Sequence, residues 1–329
     1  MQYLCYLQLV GGLILLILGG NYLVEASSDV ARKFKMSTLL IGLTIVSFGT
    51  SAPELLVSTS AALSGHTDMA LGNVLGSNIV NISFIGALTA LLLPFFVSAK
   101  SIKVDGMVML LFSVLLFLAC LDGCISRLEG GLAVLLLLLY ILWSLYDSKK
   151  GGAKDEYESP KHSLLLNIVI LIASFAALAF GSDMLVKGAS EIALRWGVGE
   201  RVISLIVVAI GTSLPELAAS IASVLKKEVG ITIGNIIGSN IFNIGAVLGI
   251  TSAISPIPLS FSEFKSDLIW FLLFSVILII GMINVRKNLS DLVKTHKITA
   301  LWNCQNGYVG RLWGFLTLAA YAVYVYLLL

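Results

Sequence analysis

Ten runs of apolar residues follow one another along the chain, near 4–31, 37–63, 69–97, 104–121, 128–146, 163–194, 200–225, 229–253, 266–284 and 309–328. Each is long enough to cross a bilayer, which takes roughly 20 residues at about 1.5 Å of helical rise apiece. Polar residues gather in the gaps. Five runs precede and five follow the charged, glycine-bearing stretch 147–162, Asp147 to His162, which reads as a linker. The pattern predicts an all-α membrane protein of ten transmembrane helices. No charge precedes Glu25; without a basic n-region the first run reads as a mature helix rather than a leader.

The two sets of five runs are related. Sliding the chain by 162 positions aligns residues 19–82 with the second half without a gap. Gly49-Thr-Ser-Ala-Pro-Glu54 returns as Gly211-Thr-Ser-Leu-Pro-Glu216, and Gly72-Asn73 with Gly76-Ser-Asn-Ile-Val-Asn81 returns as Gly234-Asn235 with Gly238-Ser-Asn-Ile-Phe-Asn243. Five is odd, so the second unit enters the membrane from the opposite face. Residues 1–146 and 163–329 are thus expected to be inverted five-helix repeats, joined by a cytoplasmic linker.

Charge tests that topology. Sixteen of the 21 Lys and Arg residues fall on the side of the 1–2, 3–4, 5–6, 7–8 and 9–10 loops, and four, Arg127, Arg195, Arg201 and Lys265, on the other. The bias makes the first side cytoplasmic and puts both termini outside, with the plasma (inner) membrane as the expected location. Composition agrees: 58% of residues are hydrophobic and 12% charged, with a mean hydropathy of +0.98. That excludes a water-soluble domain. No basic patch calls for nucleic acid. Cys5, Cys120, Cys124 and Cys304 form no CxxC pair, so neither a disulfide framework nor a zinc site is expected.

The repeated motifs carry the candidate chemistry. Glu54 and Glu216 lie inside apolar runs, where a carboxylate costs about 2.5–3.5 kcal/mol to insert. Pro53 and Pro215 cannot donate to the carbonyls four residues back, so both helices should break at the motif. Carbonyls freed at that depth must line a cavity. Thr50 shares a helix face with Glu54, as Thr212 does with Glu216. Asn73, Ser77 and Asn81 form a stripe of period four, repeated by Asn235, Ser239 and Asn243. Carboxylates, carbonyls, hydroxyls and amides are all oxygen donors, which suits Ca²⁺, Na⁺ or Mg²⁺ and disfavours zinc or copper.

Plainer readings compete for several of these. Small-xxx-small spacing at Gly72 and Gly76, and intramembrane Asn73, Asn78, Asn235 and Asn240, serve helix packing as readily as ligation. Ser47, Ser58, Ser60 and Ser220 fit packing at least as well. Lys187 and Glu191 read as an i,i+4 pair, Glu25 and Asp183 as bundle or outer-interface acids, and His66, His162 and His296 as incidental. Two buried acids have no packing role that offsets their desolvation. A channel would need a symmetric oligomer, whereas this chain holds its own two-fold, so a functional monomer is expected. An aspartyl-type membrane enzyme fits proline-broken, threonine-bearing helices poorly.

At these motifs the chain resembles the sodium/calcium exchanger branch of the cation/Ca²⁺ exchanger superfamily. The resemblance implies ten helices with breaks in the second, third, seventh and eighth, no cofactor, and electrogenic Na⁺/Ca²⁺ antiport, with Ca²⁺/H⁺ exchange on the same glutamates as the alternative. It implies Ca²⁺ held by Glu54, Glu216 and the carbonyls of Thr50 and Thr212. Na⁺ would use Ser47, Thr50, Ser51, Glu54 and Ser239 on one side, and Ala209, Thr212, Ser213, Glu216 and Ser77 on the other. Asn81 and Asn243 would line the central position. Asparagine at 243, where K⁺-dependent members carry aspartate, disfavours K⁺ dependence. Ser47 opposite Ala209 makes the two Na⁺ shells inequivalent.

Overall fold

The computed structural model describes residues 4–98, 101–150, 159–197, 209–283 and 306–328. Twelve helical stretches carry the described part of the chain. Helix α1 spans Leu4–Phe34, α2 Thr38–Thr50, α3 Ala52–Leu63, α4 Thr67–Leu92, α5 Ser101–Ala119 and α6 Arg127–Lys150. Helix α7 spans Leu164–Arg195, α8 Ala209–Thr212, α9 Leu214–Leu225, α10 Val229–Ile254, α11 Phe261–Met282 and α12 Arg311–Leu328. Eight described helices are long and apolar enough to cross a membrane, nine if α2 and α3, bent by 43° where they meet, count as one span.

Burial sorts them into layers. The most apolar window of α10 is 94% buried and that of α4 78%, against 17% for α12. Helices α4 and α10 therefore form the centre. The outward leucines of α6 (Leu132, Leu135, Leu139, Leu142) and the aromatic and aliphatic face of α12 (Leu312, Phe315, Leu316) are exposed, as side chains that meet acyl chains should be.

Several expectations need correction. The fifth span does not stop at 146: α6 runs through Asp147 and Ser148 to Lys150, so the linker begins as helix, and its residues 151–158 lie outside those described. The third span ends at Leu92 and gives way to strand β1 (Phe95–Ser98). The third and eighth spans are not broken. Helices α4 and α10 pass continuously through π-helical turns at Asn81–Gly86 and Asn243–Leu248. Neither stretch contains proline, so the ladder widens by one residue instead of opening. The start of the seventh span, 200–208, and most of loop 285–308, with Cys304 and His296, fall outside the described residues.

The all-α expectation omits two small antiparallel sheets. Strand β1 pairs with β4 (Asn306–Val309), and β2 (Cys124–Ile125) with β3 (Ile257–Pro258). The first joins the 3–4 and 9–10 loops and the second the 4–5 and 8–9 loops, so each sheet ties together loops that the charge bias places on one side.

The 162-residue period extends well beyond the two motifs. Helix α3 maps onto α9, and α4 onto α10, with both ends in register. Left-handed residues close equivalent helices at Lys35 and Gly197, and at Gly65 and Lys227. Tyr140 Oη donates to Asp105 at 2.8 Å, and Tyr324 Oη to Asp267 at 3.0 Å; the two acids are again 162 apart. Ser113 and Ser275, also repeat mates, are buried with their hydroxyls 3.2 Å apart. A residue that touches its own repeat mate sits on the axis relating the halves.

Candidate functional site

Each acid sits just past a break. Ser51 (φ −84°, ψ 2°) separates α2 from α3, and Ser213 (φ −92°, ψ 8°) separates α8 from α9. Pro53 and Pro215 occupy the first turn beyond, where a missing N–H is harmless. This puts Glu54 and Glu216 in first turns too, at the positive ends of helix dipoles. Both are buried, at 0% and 1% exposure.

Hydroxyls reach both acids, that of Glu216 from the opposite half and that of Glu54 from its own. Ser51 Oγ donates to Glu216 Oε1 at 3.4 Å. Ser77 Oγ donates to Glu54 Oε1 at 3.5 Å and stands 3.4 Å from Thr212 Oγ1. Glu54, Ser77 and Thr212 thus form one hydrogen-bonded group and Glu216 with Ser51 a second, each drawing on both halves.

The asparagines of the second motif brace it. Asn73 Nδ2 donates to Glu54 O at 3.4 Å and to Ser58 Oγ at 2.9 Å. Asn235 repeats both contacts, to Glu216 O at 3.2 Å and Ser220 Oγ at 2.9 Å. Asn235 also accepts, at Oδ1, from Thr50 Oγ1 at 3.3 Å and Ser239 Oγ at 3.4 Å. These two residues orient the acids' own backbone, a bracing role that the stripe of period four does not reveal.

Other expected residues fall differently. Ser47 Oγ donates to Gly42 O at 2.7 Å and lies 3.4 Å from the carbonyls of Gly234 and Asn235; no described contact joins it to a carboxylate. The backbone of Ala209 is placed at the start of α8. Asn243 Nδ2 donates to Asn78 Oδ1 at 3.0 Å, which ties the two π-turn regions together and brings Asn78 into the set. Close helix approach is made by Gly234 and Gly238, whose Cβ atoms would lie 2.4 Å from Leu39 O and 2.3 Å from Ser47 Oγ. The contacts equivalent to these at Gly72 and Gly76 would involve residues outside those described.

Several buried atoms here make no hydrogen bond within the described protein: Glu54 Oε2, Glu216 Oε2, Ser213 Oγ, both amide atoms of Asn81 and Asn243 Oδ1. An unmet buried polar atom costs about 1–3 kcal/mol. No cluster of three or more His, Cys, Asp or Glu residues exists among the described residues. Two acids amid neutral oxygens is chemistry for a hard cation.

The charged residues at the helix ends are rearranged. Lys187 pairs with Asp183 at 2.7 Å and Arg195 with Glu191 at 2.5 Å, in place of a Lys187–Glu191 pair. Both observed pairs set the acid N-terminal to the base, the favoured order on a helix. Glu25 lies 3.5 Å from Lys226 Nζ and 3.9 Å from Lys161 Nζ, both in loops that the charge bias assigns to the lysine-rich side. His162 is not incidental. Buried Asp29 accepts from the backbone N–H groups of Lys161 (3.1 Å) and His162 (2.9 Å), and the His162 ring lies 3.2 Å away. No sequence signal singled out Asp29, whose repeat mate Glu191 is half-exposed.

The chain matches the sodium/calcium exchanger protein family over residues 4–146 and 166–329. It is 38% identical to the inner membrane protein YrbG of Escherichia coli over 82% of this chain and 86% of that one. It is 30% identical to the sodium/calcium exchanger MaX1 of Methanosarcina acetivorans over 77% and 83%. A more distant relative, 24% identical over 61% of this chain and 63% of its own, is the Ca²⁺/H⁺ antiporter ChaA of Bacillus subtilis. Among solved structures, the sodium-calcium exchanger NCX_Mj superposes with a TM-score of 0.79 at 30% identity, covering 99% of this chain and 98% of that one. The chain therefore belongs to the sodium/calcium exchanger family and is a membrane antiporter of the cation/Ca²⁺ exchanger superfamily, not an enzyme.

Proposed function

We propose that the protein exchanges Na⁺ for Ca²⁺ at one shared site, by alternating access of two inverted five-helix repeats. The observation that carries this reading is the pair of repeat-related buried glutamates, each with one carboxylate oxygen left without a hydrogen bond in the described protein. Two carboxylates balance one Ca²⁺, completed by the Thr50 and Thr212 carbonyls. Na⁺ competes for the same acids, with Thr50, Ser51 and Ser239 on one side and Ala209, Thr212, Ser213 and Ser77 on the other. Ser47 is the weakest member of that set, its hydroxyl being engaged by backbone carbonyls. Asn81 and Asn243 line the central position. Shared ligands forbid joint occupancy, which by itself yields antiport. Three Na⁺ against one Ca²⁺ moves one net charge, worth about 2.3 kcal/mol per 100 mV.

An asymmetry between the halves supports alternating access. Helix α1 packs on α9: Lys226 Nζ donates to Asn21 O at 2.9 Å, and Ala222 is 6% exposed. On α3 the residues equivalent to Ala218 and Ala222 are Leu56, 72% exposed, and Ser60, also exposed. The cytoplasmic half of the seventh span is covered while the outer half of the second is bare, as in an outward-open state. We place both termini outside and the protein in the plasma membrane as a functional monomer. The test is ⁴⁵Ca²⁺ uptake into proteoliposomes loaded with Na⁺. Uptake that follows the Na⁺ gradient supports the proposal. Uptake that follows a pH gradient and ignores Na⁺ replaces it with Ca²⁺/H⁺ exchange on the same glutamates.

A further inference from the structure

The two broken helices are closed off differently. Pro215 leaves the Gly211 carbonyl without its i+4 donor. Ser182 of α7 supplies one: its Oγ donates to Gly211 O at 2.5 Å. Ser182 is 8% exposed and lies one turn before Val186, whose Cγ2 would be 2.2 Å from a Cβ at position 211. The close approach that glycine permits is what lets the hydroxyl reach the backbone. Among the described residues no side chain donates to the equivalent Gly49 carbonyl. Position 20, equivalent to 182, is glycine, and a Cβ there would lie 2.7 Å from Ala218 O. What approaches Gly49 is the ring of Phe175, whose Cε1 would be 2.0 Å from an added Cβ.

Gly211 C=O and Thr212 N–H belong to one rigid peptide plane. A donor fixed to that carbonyl fixes the plane, and with it the direction in which Thr212 projects toward Ser77 Oγ, 3.4 Å away. We propose that Ser182 is a positioning residue for cation binding, acting through Thr212 and on the second-repeat side of the site alone. The inference rests on the cation site proposed above, but not on which ion drives exchange. With Ser182 in place the peptide is held in one orientation. Without it the carbonyl, freed in an apolar setting, rotates to seek another donor and carries Thr212 off its contact.

The test is a double-mutant cycle on the purified full-length protein, read by equilibrium ⁴⁵Ca²⁺ binding in detergent. Ser182→Ala is expected to weaken Ca²⁺ binding three- to tenfold with an unchanged melting temperature, and Ser182→Thr to restore most of it. In a Thr212→Ala background Ser182→Ala should change binding less than twofold, because the hydroxyl whose contact with Ser77 it sets is gone. In a Thr50→Ala background it should keep its full effect. Equal losses in both backgrounds, or wild-type binding by Ser182→Ala, overturn the proposal. If Ser182→Ala is too unstable to purify, Ser182→Cys, a poorer donor of similar size, takes its place under the same criteria. A wild-type protein that binds no Ca²⁺ refutes the underlying site instead, so the two failures are distinguishable.

Discussion

Asn73 and Asn235 occupy equivalent places, yet the structure predicts unequal consequences when each is cut back to alanine. Asn73→Ala removes two hydrogen bonds, to Glu54 O and Ser58 Oγ. Asn235→Ala removes the equivalent two and also the acceptor for Thr50 and Ser239, four in all. A net contribution of about 1 kcal/mol per bond gives a loss of about 2 kcal/mol for Asn73→Ala and about 4 kcal/mol for Asn235→Ala. The extra contacts at 3.3 and 3.4 Å are long, so a difference nearer 1.4 kcal/mol, tenfold in an equilibrium constant, is the safer figure. The extra loss falls on Thr50 and Ser239, both in the candidate site, and should therefore appear in ion affinity as well as in stability. The assay pairs ⁴⁵Ca²⁺ uptake against external Ca²⁺ with thermal melting of the detergent-purified variants. Asn235→Ala is expected to raise the half-saturating Ca²⁺ concentration about tenfold further than Asn73→Ala does, and to melt lower. If Asn73→Ala proves equal or worse on both measures, the bracing role assigned to Asn235 is wrong.

Glu54→Gln and Glu216→Gln keep the side-chain shape but remove a charge; each should abolish Ca²⁺ uptake while the purified protein still elutes as a folded species, and robust Na⁺-driven flux in either would refute the ligand assignment. Gly238→Ala forces a Cβ to within 2.3 Å of Ser47 Oγ and 2.9 Å of the Leu43 backbone, so the variant should express poorly and melt well below the parent; a normal melting curve would mean α10 and α2 are farther apart than described. Paired Ser113→Cys and Ser275→Cys substitutions, at hydroxyls 3.2 Å apart, should oxidise to an intramolecular disulfide that shifts mobility on a non-reducing gel, whereas either single variant should not.

What was legible in the sequence depended on which physical cause acted locally. Hydropathy located the spans because a helix in lipid must satisfy its own backbone and show apolar side chains. Glu54 and Glu216 stood out because a carboxylate is costly in an apolar run, and Pro53 and Pro215 marked the bends because a missing N–H acts within one turn. The breaks that the resemblance implied in the third and eighth spans became π-turns, since glycine and asparagine permit a deformation without specifying which. Tertiary contacts were out of reach. Nothing near Asp29 announces that residues 161 and 162 fold back to donate to it, and Ser182 has no neighbour in sequence that points to Gly211. Lys187 has acids at both i−4 and i+4, and the preference for an acid N-terminal to its base selects Asp183.

The meeting of Ser113 with Ser275 bears on how such a chain could have been assembled. In a single five-helix half, that serine would have no covalently linked counterpart to face. Two separate copies inserted in opposite directions would bring the same side chain against itself across an antiparallel homodimer. With the halves inverted as proposed, fusion into one polypeptide would turn that dimer contact into an internal one, and the unequal lysine and arginine content of the loops would hold each half in a single orientation, so that one gene product would do what otherwise requires equal numbers of molecules inserted each way up.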